Sequence, residues 1–177
     1  MQASLRNRIL LLVGIAFFCI ASDQATKVWA QRNLAYEFSP GQFYPFKEIT
    51  VIPKVFNLIY KENPAAAFSI TSSIPDWIRK PLLTTVSIVA SLFFLVWYFR
   101  LKNPDRLILV SFSLIMGGAI GNLIDRMRLG YVIDFLDVHA AFLGYAGSHW
   151  PTFNIADSAI VVGAIGIFAH SFYSKKA

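Results

Sequence analysis

Six residues of the types that activate water or orient an amide crowd into one stretch of this chain: Asn122, Asp125, Arg126, Asp134, Asn154 and Asp157. The sequence around them is apolar, and polar side chains at the ends of hydrophobic segments are costly unless they serve a site. Asn122 and Arg126 lie four residues apart on one face of a predicted helix, and Asn154 and Asp157 lie three apart on one face of another. Asp134 falls in the predicted connecting loop, where its neighbours Ile133 and Phe135 offer an apolar wall. Two carboxylates from separate elements, converging where water is scarce, hold one proton between them, so that one works as base and the other as acid. Such a pair activates water against an amide and needs neither a metal ion nor a nucleophilic serine.

Each residue also has a plainer reading. Asp125, beside Arg126, fits a structural ion pair or a helix-end hydrogen-bond acceptor. Asn154 suits a helix N-cap, its spacing to Asp157 resembles a capping box, and a carboxylate in the first turn is stabilised by the helix dipole. His139 and His149, with Asp134 and Asp137, form a conceivable metal set. Neither their spacing nor a helical His-Glu pattern matches a catalytic metal site, so no metal is expected. Ser148 beside His149 lacks the glycine-framed turn of a nucleophile. On spacing alone, this is a polar intramembrane site of open function.

The elements that must position these residues follow from composition. With 56% hydrophobic and 15% charged residues in 177, the chain is that of an integral membrane protein. Its net charge of +6 sits in short segments flanking apolar runs, which argues for topology signals and against nucleic acid. A lone cysteine, Cys19, allows no intrachain disulfide and no cysteine metal cluster. Four spans are predicted, at about 9–30, 78–99, 107–124 and 155–173, in one domain covering 1–177. The first resembles a secretory signal peptide, but its helical pattern continues through Asp23, Gln24 and Lys27 to Ala30, long enough to cross a membrane. Asp23 and Lys27 share a face, either as a pair whose lysine snorkels to the interface or as a brace for the site.

The segment 31–77, broken by prolines, contains two β-rich runs, 48–52 and 55–60, and predicts a small sheet at the membrane surface between the first two spans. Phe43, Tyr44, Phe46 and Tyr60 suit the headgroup region. Pro81 is expected near the first turn of the second span, and Gly117, Gly118 and Gly121 let a neighbouring backbone approach the third. Seven of the sixteen Lys and Arg fall in the segments 1–8, 100–106 and 174–177, which places both termini in the cytoplasm and the polar stretch at the outer leaflet.

Five ordered motifs then carry a resemblance: Asp23-Gln24-Ala25-Thr26-Lys27; Asn63 with Ala66-Ala67-Phe68; Gly118 through Arg126; Val132-Ile133-Asp134-Phe135; and Phe153 through Ala159. Together they resemble the lipoprotein signal peptidase family, also called signal peptidase II, over nearly the whole chain. The resemblance implies a bacterial inner-membrane aspartyl peptidase, without cofactor, that removes the signal peptide from diacylglyceryl-modified prolipoproteins just before the lipidated cysteine. It implies a catalytic pair at Asp134 and Asp157, substrate-orienting residues at Asn122, Arg126 and Asn154, and support from Asn63, Asp23 and Lys27. A monomer among membrane lipids, with its active site near the periplasmic face, is expected. Ala65 stands where the family usually has glycine, and the segment 141–147 is long for the family. The alternative is a small ion or proton transporter relaying protons through Asp23, Asp134 and Asp157. It calls for acidic residues at mid-membrane, whereas these gather toward one side.

Overall fold

In the computed structural model, residues 4–35, 47–64, 74–139 and 149–173 are described. They form four helices, α1 (Leu5–Leu34), α2 (Asp76–Arg100), α3 (Arg106–Leu129) and α4 (Ile155–Tyr173), and three strands, β1 (Ile49–Ile52), β2 (Phe56–Asn63) and β3 (Val132–Val138). Phe43, Tyr44, Phe46, the run from Ala65 to Phe68 and the segment 141–148 lie outside the described residues. All four helices are long and apolar enough to cross a membrane. Their outward side chains fit lipid: Phe17 and Phe18 on α1 are 71% and 73% exposed, and Phe168 on α4 is 66% exposed. In water that surface would be a liability. Against acyl chains it is the solvated face.

α3 is the central helix and packs against α1, α2 and α4. Its Ile108, Leu109, Phe112 and Met116 form a buried cluster with Leu12 of α1 and Tyr98 of α2. Asp105 caps its start by accepting from the Ile108 N–H at 2.9 Å. Its end is set by Gly130, which adopts φ +78°, a left-handed conformation that disfavours any residue with a Cβ, and returns its N–H to the Arg126 carbonyl. At the far end of the bundle, Arg8 of α1 donates to the Tyr98 and Leu101 carbonyls, and the Tyr98 hydroxyl donates to the Arg8 carbonyl at 2.7 Å. These contacts lock the start of α1 to the end of α2, where Arg8 gives partners to carbonyls that the helix terminus leaves free.

α1, α2 and α3 run beyond their expected bounds, because polar residues at the helix ends still find partners. α2 begins at Asp76, whose carboxylate pairs with Arg79 and Lys80 in the first turn, so Pro81 lies inside the helix rather than opening it. α3 continues to Leu129, carrying Asp125 and Arg126 on regular helix.

The largest departure concerns the sheet. Its first two strands come from the segment between α1 and α2 as expected, but the third, β3, comes from the connection between α3 and α4. Asp134 is therefore on a strand, not in a loop. The order is β1-β2-β3, antiparallel throughout, with a bulge in the β2–β3 pairing between Leu58 and Lys61. Period-2 alternation puts Asp134 on one face of β3 and Ile133 and Phe135 on the other. Phe135 packs with Ala30 and Leu34 of α1, anchoring the sheet to the bundle. Ile133 and Phe135 are core, not a wall around the carboxylate.

The α3–α4 contact is backbone-close. A Cβ on Gly118 would overlap the Ala156 carbonyl oxygen and stand 2.8 Å from Ile160 Cγ1, whereas one on Gly14 would meet no heavy atom of the described residues within 4 Å. Gly118→Ala is expected to destabilise the protein by about 1–3 kcal/mol through overpacking. Gly14→Ala should be neutral or slightly stabilising. Thermal unfolding in detergent compares the two, and equal midpoints would refute the close packing of α3 on α4.

Candidate active site

The site begins with a buried ammonium. Lys27, one turn beyond Asp23 on α1, is 1% exposed, and its Nζ lies 2.9 Å from Asp23 Oδ2, 2.9 Å from Asp125 Oδ2 and 2.9 Å from Asn122 Oδ1. Three N–H donors meet three acceptors, so the charge is buried fully satisfied. The pair faces the bundle interior, and Lys27 does not snorkel. The remaining oxygens are also used. Asp23 Oδ1 accepts from the Ala156 N–H at 2.9 Å, at the positive end of α4. Asp125 accepts from the Ile133 N–H at 3.2 Å and from Gln24 Nε2 at 3.0 Å. The ionic partner of Asp125 is thus Lys27, not its sequence neighbour Arg126.

Asn122 passes this order to the next layer. Its Oδ1 faces Lys27, and its Nδ2 donates to Asp157 Oδ1 at 2.8 Å. Asn154 and Asp157 close a reciprocal cap on α4: the Asp157 N–H donates to Asn154 Oδ1 at 2.9 Å, and the Asn154 N–H donates to Asp157 Oδ2 at 3.3 Å. The Asn154 amide meanwhile donates to Asp134 Oδ1 at 2.8 Å, while Asn63 of β2 donates to Asp134 Oδ2 at 2.8 Å. Asn154 therefore bridges the two carboxylates, and capping and site-building are one set of hydrogen bonds.

Asp134 and Asp157 line the floor of a cleft of about 540 Å³, together with Asn63, Asn122 and Arg126. Val132, the stretch from Trp150 to Phe153, and Ile160 to Val162 line the rest. Burial pushes the Asp134 carboxyl up to about 6; the amides of Asn63 and Asn154 and the charge of Lys27 oppose this, and the nearby Asp157 adds to it. The Arg126 guanidinium reaches the Asn122 carbonyl at 3.5 Å and otherwise lines the cleft.

All nine residues singled out from the sequence belong to this one network or its cleft, but the structure adds others. Gln24 donates to Asp23, Asp125 and the Gly121 carbonyl, tying α1 to α3. Its place in the same turn as Asp23 was the available signal. The wall from Trp150 to Phe153 had none, because apolar loop residues have no pattern that marks a cleft. Of the conceivable metal set, Asp137, His139 and His149 gather together, and Asp134 faces the other side of β3.

A multi-pass membrane protein whose two carboxylates share an amide clamp beside an apolar cleft has the makings of an intramembrane hydrolase. The sequence profile of the family described as Signal peptidase (SPase) II matches residues 15–173. A lipoprotein signal peptidase of Geobacter metallireducens is 44% identical over 141 residues, 80% of this chain and 77% of its own length. Another, from Syntrophotalea carbinolica, is 42% identical over 161 residues, 88% and 86% of the two chains. A solved structure described as a bacterial membrane enzyme superposes with a TM-score of 0.74 at 27% identity, over 98% of this chain and 92% of that one. The chain belongs to the signal peptidase II family, and is a peptidase rather than a transporter.

The buried triad makes a direct claim on stability. Lys27→Met leaves Asp23 and Asp125 as uncompensated buried carboxylates and is expected to cost about 3–5 kcal/mol. Thermal unfolding in detergent should register a large loss, and a midpoint equal to that of wild type would mean the ammonium is not what holds α1 to α3.

Proposed function

We propose that the protein is an aspartic endopeptidase that cleaves diacylglyceryl-modified prolipoproteins before the lipidated cysteine, with Asp134 and Asp157 as its catalytic pair. One observation carries this reading: carboxylates from β3 and α4 are both held by Asn154, through its side-chain amide and its N–H, in a cleft walled largely by apolar side chains. The family relationship and the apolar wall favour a lipid-bearing substrate. The family relationship favours a bacterial inner-membrane location, and the placement of basic residues favours cytoplasmic termini with the site near the periplasmic face. Within the bilayer the chain works as a monomer surrounded by lipid.

In the working state the pair carries one proton, which we assign to Asp134: its carboxyl is pushed up to about 6, whereas Asp157 sits in the first turn of α4, where the helix dipole favours a carboxylate. Asp157 takes a proton from water as the water oxygen attacks the scissile carbonyl carbon, and Asp134 gives its proton to the carbonyl oxygen. The tetrahedral intermediate then collapses: Asp134 takes back a proton from one of its hydroxyls as the carbonyl re-forms, the C–N bond breaks, and the proton held by Asp157 passes to the departing amine, which restores the singly protonated pair. Arg126 offers a planar fork of donors to substrate oxygens. Asn122 and Asn154 hold the carboxylates, and Lys27, Asp23 and Asp125 hold the asparagines and the helix ends. No step calls for a metal ion.

Either Asp134→Asn or Asp157→Asn is expected to lower cleavage of a diacylglyceryl-modified precursor by about 10²- to 10⁴-fold, with helical content retained, and wild-type activity should survive EDTA. Near-wild-type cleavage by well-folded Asp134→Asn would overturn the pair.

The pH profile gives an independent check. Asn63 stabilises the charged form of Asp134, so its removal raises that carboxyl further and the proton is lost at higher pH. The alkaline limb of kcat/KM, where the pair loses its shared proton, should move to higher pH in Asn63→Ala. An unchanged limb, or one moved to lower pH, contradicts Asp134 as the proton holder.

A further inference from the structure

Apart from the catalytic floor, a cluster of side chains of metal-ligating type sits on the opposite face of β3. Asp137 and His139, two residues apart, point to the same side of that strand. A bridge pairs His139 with His149 across the antiparallel connection, which brings the third side chain alongside. His149 Nδ1 lies 2.9 Å from both Asp137 oxygens, the two imidazole centroids are 4.3 Å apart, and one ligand atom from each of the three residues falls within 4.8 Å of the others.

Asn57 supplies the independent observation. It pairs with Asp137 across β2 and β3, is 3% exposed, and its Nδ2 is 2.8 Å from His139 Nε2, while its Oδ1 has no hydrogen-bond partner among the described residues. A buried acceptor left empty costs free energy. Metal-ligating histidines usually donate the other ring N–H to just such an oxygen. Rotating the Asn57 amide about its axis puts Oδ1 on the His139 Nε2–H and frees Nδ1 for a metal.

We propose that Asp137, His139 and His149 bind a zinc ion, with Asn57 orienting His139 and water completing the coordination. Tetrahedral zinc with bonds of about 2.0 Å sets its ligand atoms about 3.3 Å apart. The His149–Asp137 spacing is already near that, and His149, half-exposed, has room to close the rest. One carboxylate and two imidazoles are a donor set suited to zinc rather than to calcium or magnesium.

The ion would act as a clamp. It joins β3 to His149, which lies outside the cleft at the head of the segment from Trp150 to Phe153; that segment is bonded to the other edge of β3 and forms a wall of the cleft. Asp134 faces away from it, so the metal takes no part in the peptide-bond chemistry. The site is distinct from the catalytic pair, and its occupancy can be measured without any peptidase assay.

The test uses tag-free full-length protein in detergent, stripped with EDTA, desalted, and titrated with zinc chloride against a chromophoric zinc chelator. Wild type should bind about one equivalent and unfold at a higher temperature with zinc than without. His149→Gln and Asp137→Asn should each weaken zinc binding by at least about tenfold, and Asn57→Leu by about 10- to 100-fold. His149→Gln, at a half-exposed position, carries the test if Asp137→Asn fails to fold, and it should keep wild-type cleavage activity in EDTA. Absence of competition by wild type at a large excess of zinc overturns the proposal. So does equal zinc affinity in wild type and His149→Gln.

Discussion

The buried ammonium of Lys27 is the interaction on which the rest of the structure depends. In lipid or in a packed interior a lone charge is prohibitive, so Lys27 enters only with its three acceptors in place. Those acceptors come from α1 and α3, and each extends the order outward. Asp23 holds the first turn of α4, Asp125 holds the start of β3, and Asn122 holds Asp157. A compact ammonium with three divergent donors suits this node better than the planar fork of arginine. α1, α3, α4 and the sheet are thus positioned around one charge, and the two carboxylates at the cleft inherit that precision.

Close helix packing is what allows these short side chains to meet. Gly118 and Gly121 bring α3 against the first turn of α4, and a Cβ at Gly121 would stand 2.8 Å from Asp23 Oδ2. With larger residues there, Asp23 could not reach the Ala156 N–H, and the buried start of α4 would lack a partner. The lipid-facing surfaces carry no such precision. Bulky, exposed side chains such as Phe17, Phe18 and Phe168 fill space against acyl chains, where shape matters less than hydrophobicity.

β3 sets different side chains on its two faces. A strand separates consecutive residues onto two faces, so a seven-residue segment presents Asp134 toward the cleft, Phe135 toward the α1 core, and Asp137 toward the two histidines. The bulge in the β2–β3 pairing shifts the register by one residue between Leu58 and Lys61. The amide of Asn63 thereby reaches Asp134 from the end of β2, while Asn57 serves His139 at the other end.

Much of this was determined by the sequence alone. Twenty-residue apolar runs report membrane spans because the bilayer admits little else, and helical spacing places Asp23 with Lys27, Asn122 with Arg126, and Asn154 with Asp157, since contacts three and four residues apart are local. The ordered polar motifs likewise marked the family. Tertiary structure decided what local spacing cannot encode. It made the 132–138 segment a strand, because strand formation there depends on a partner edge some seventy residues earlier. It gave Asp125 to Lys27 instead of to Arg126, because sequence neighbours on a helix point in different directions while residues on facing helices meet. It also brought His149 to His139 and Asp137 on the face of β3 away from Asp134, a grouping set by strand register and by nothing in the order of residues along the chain.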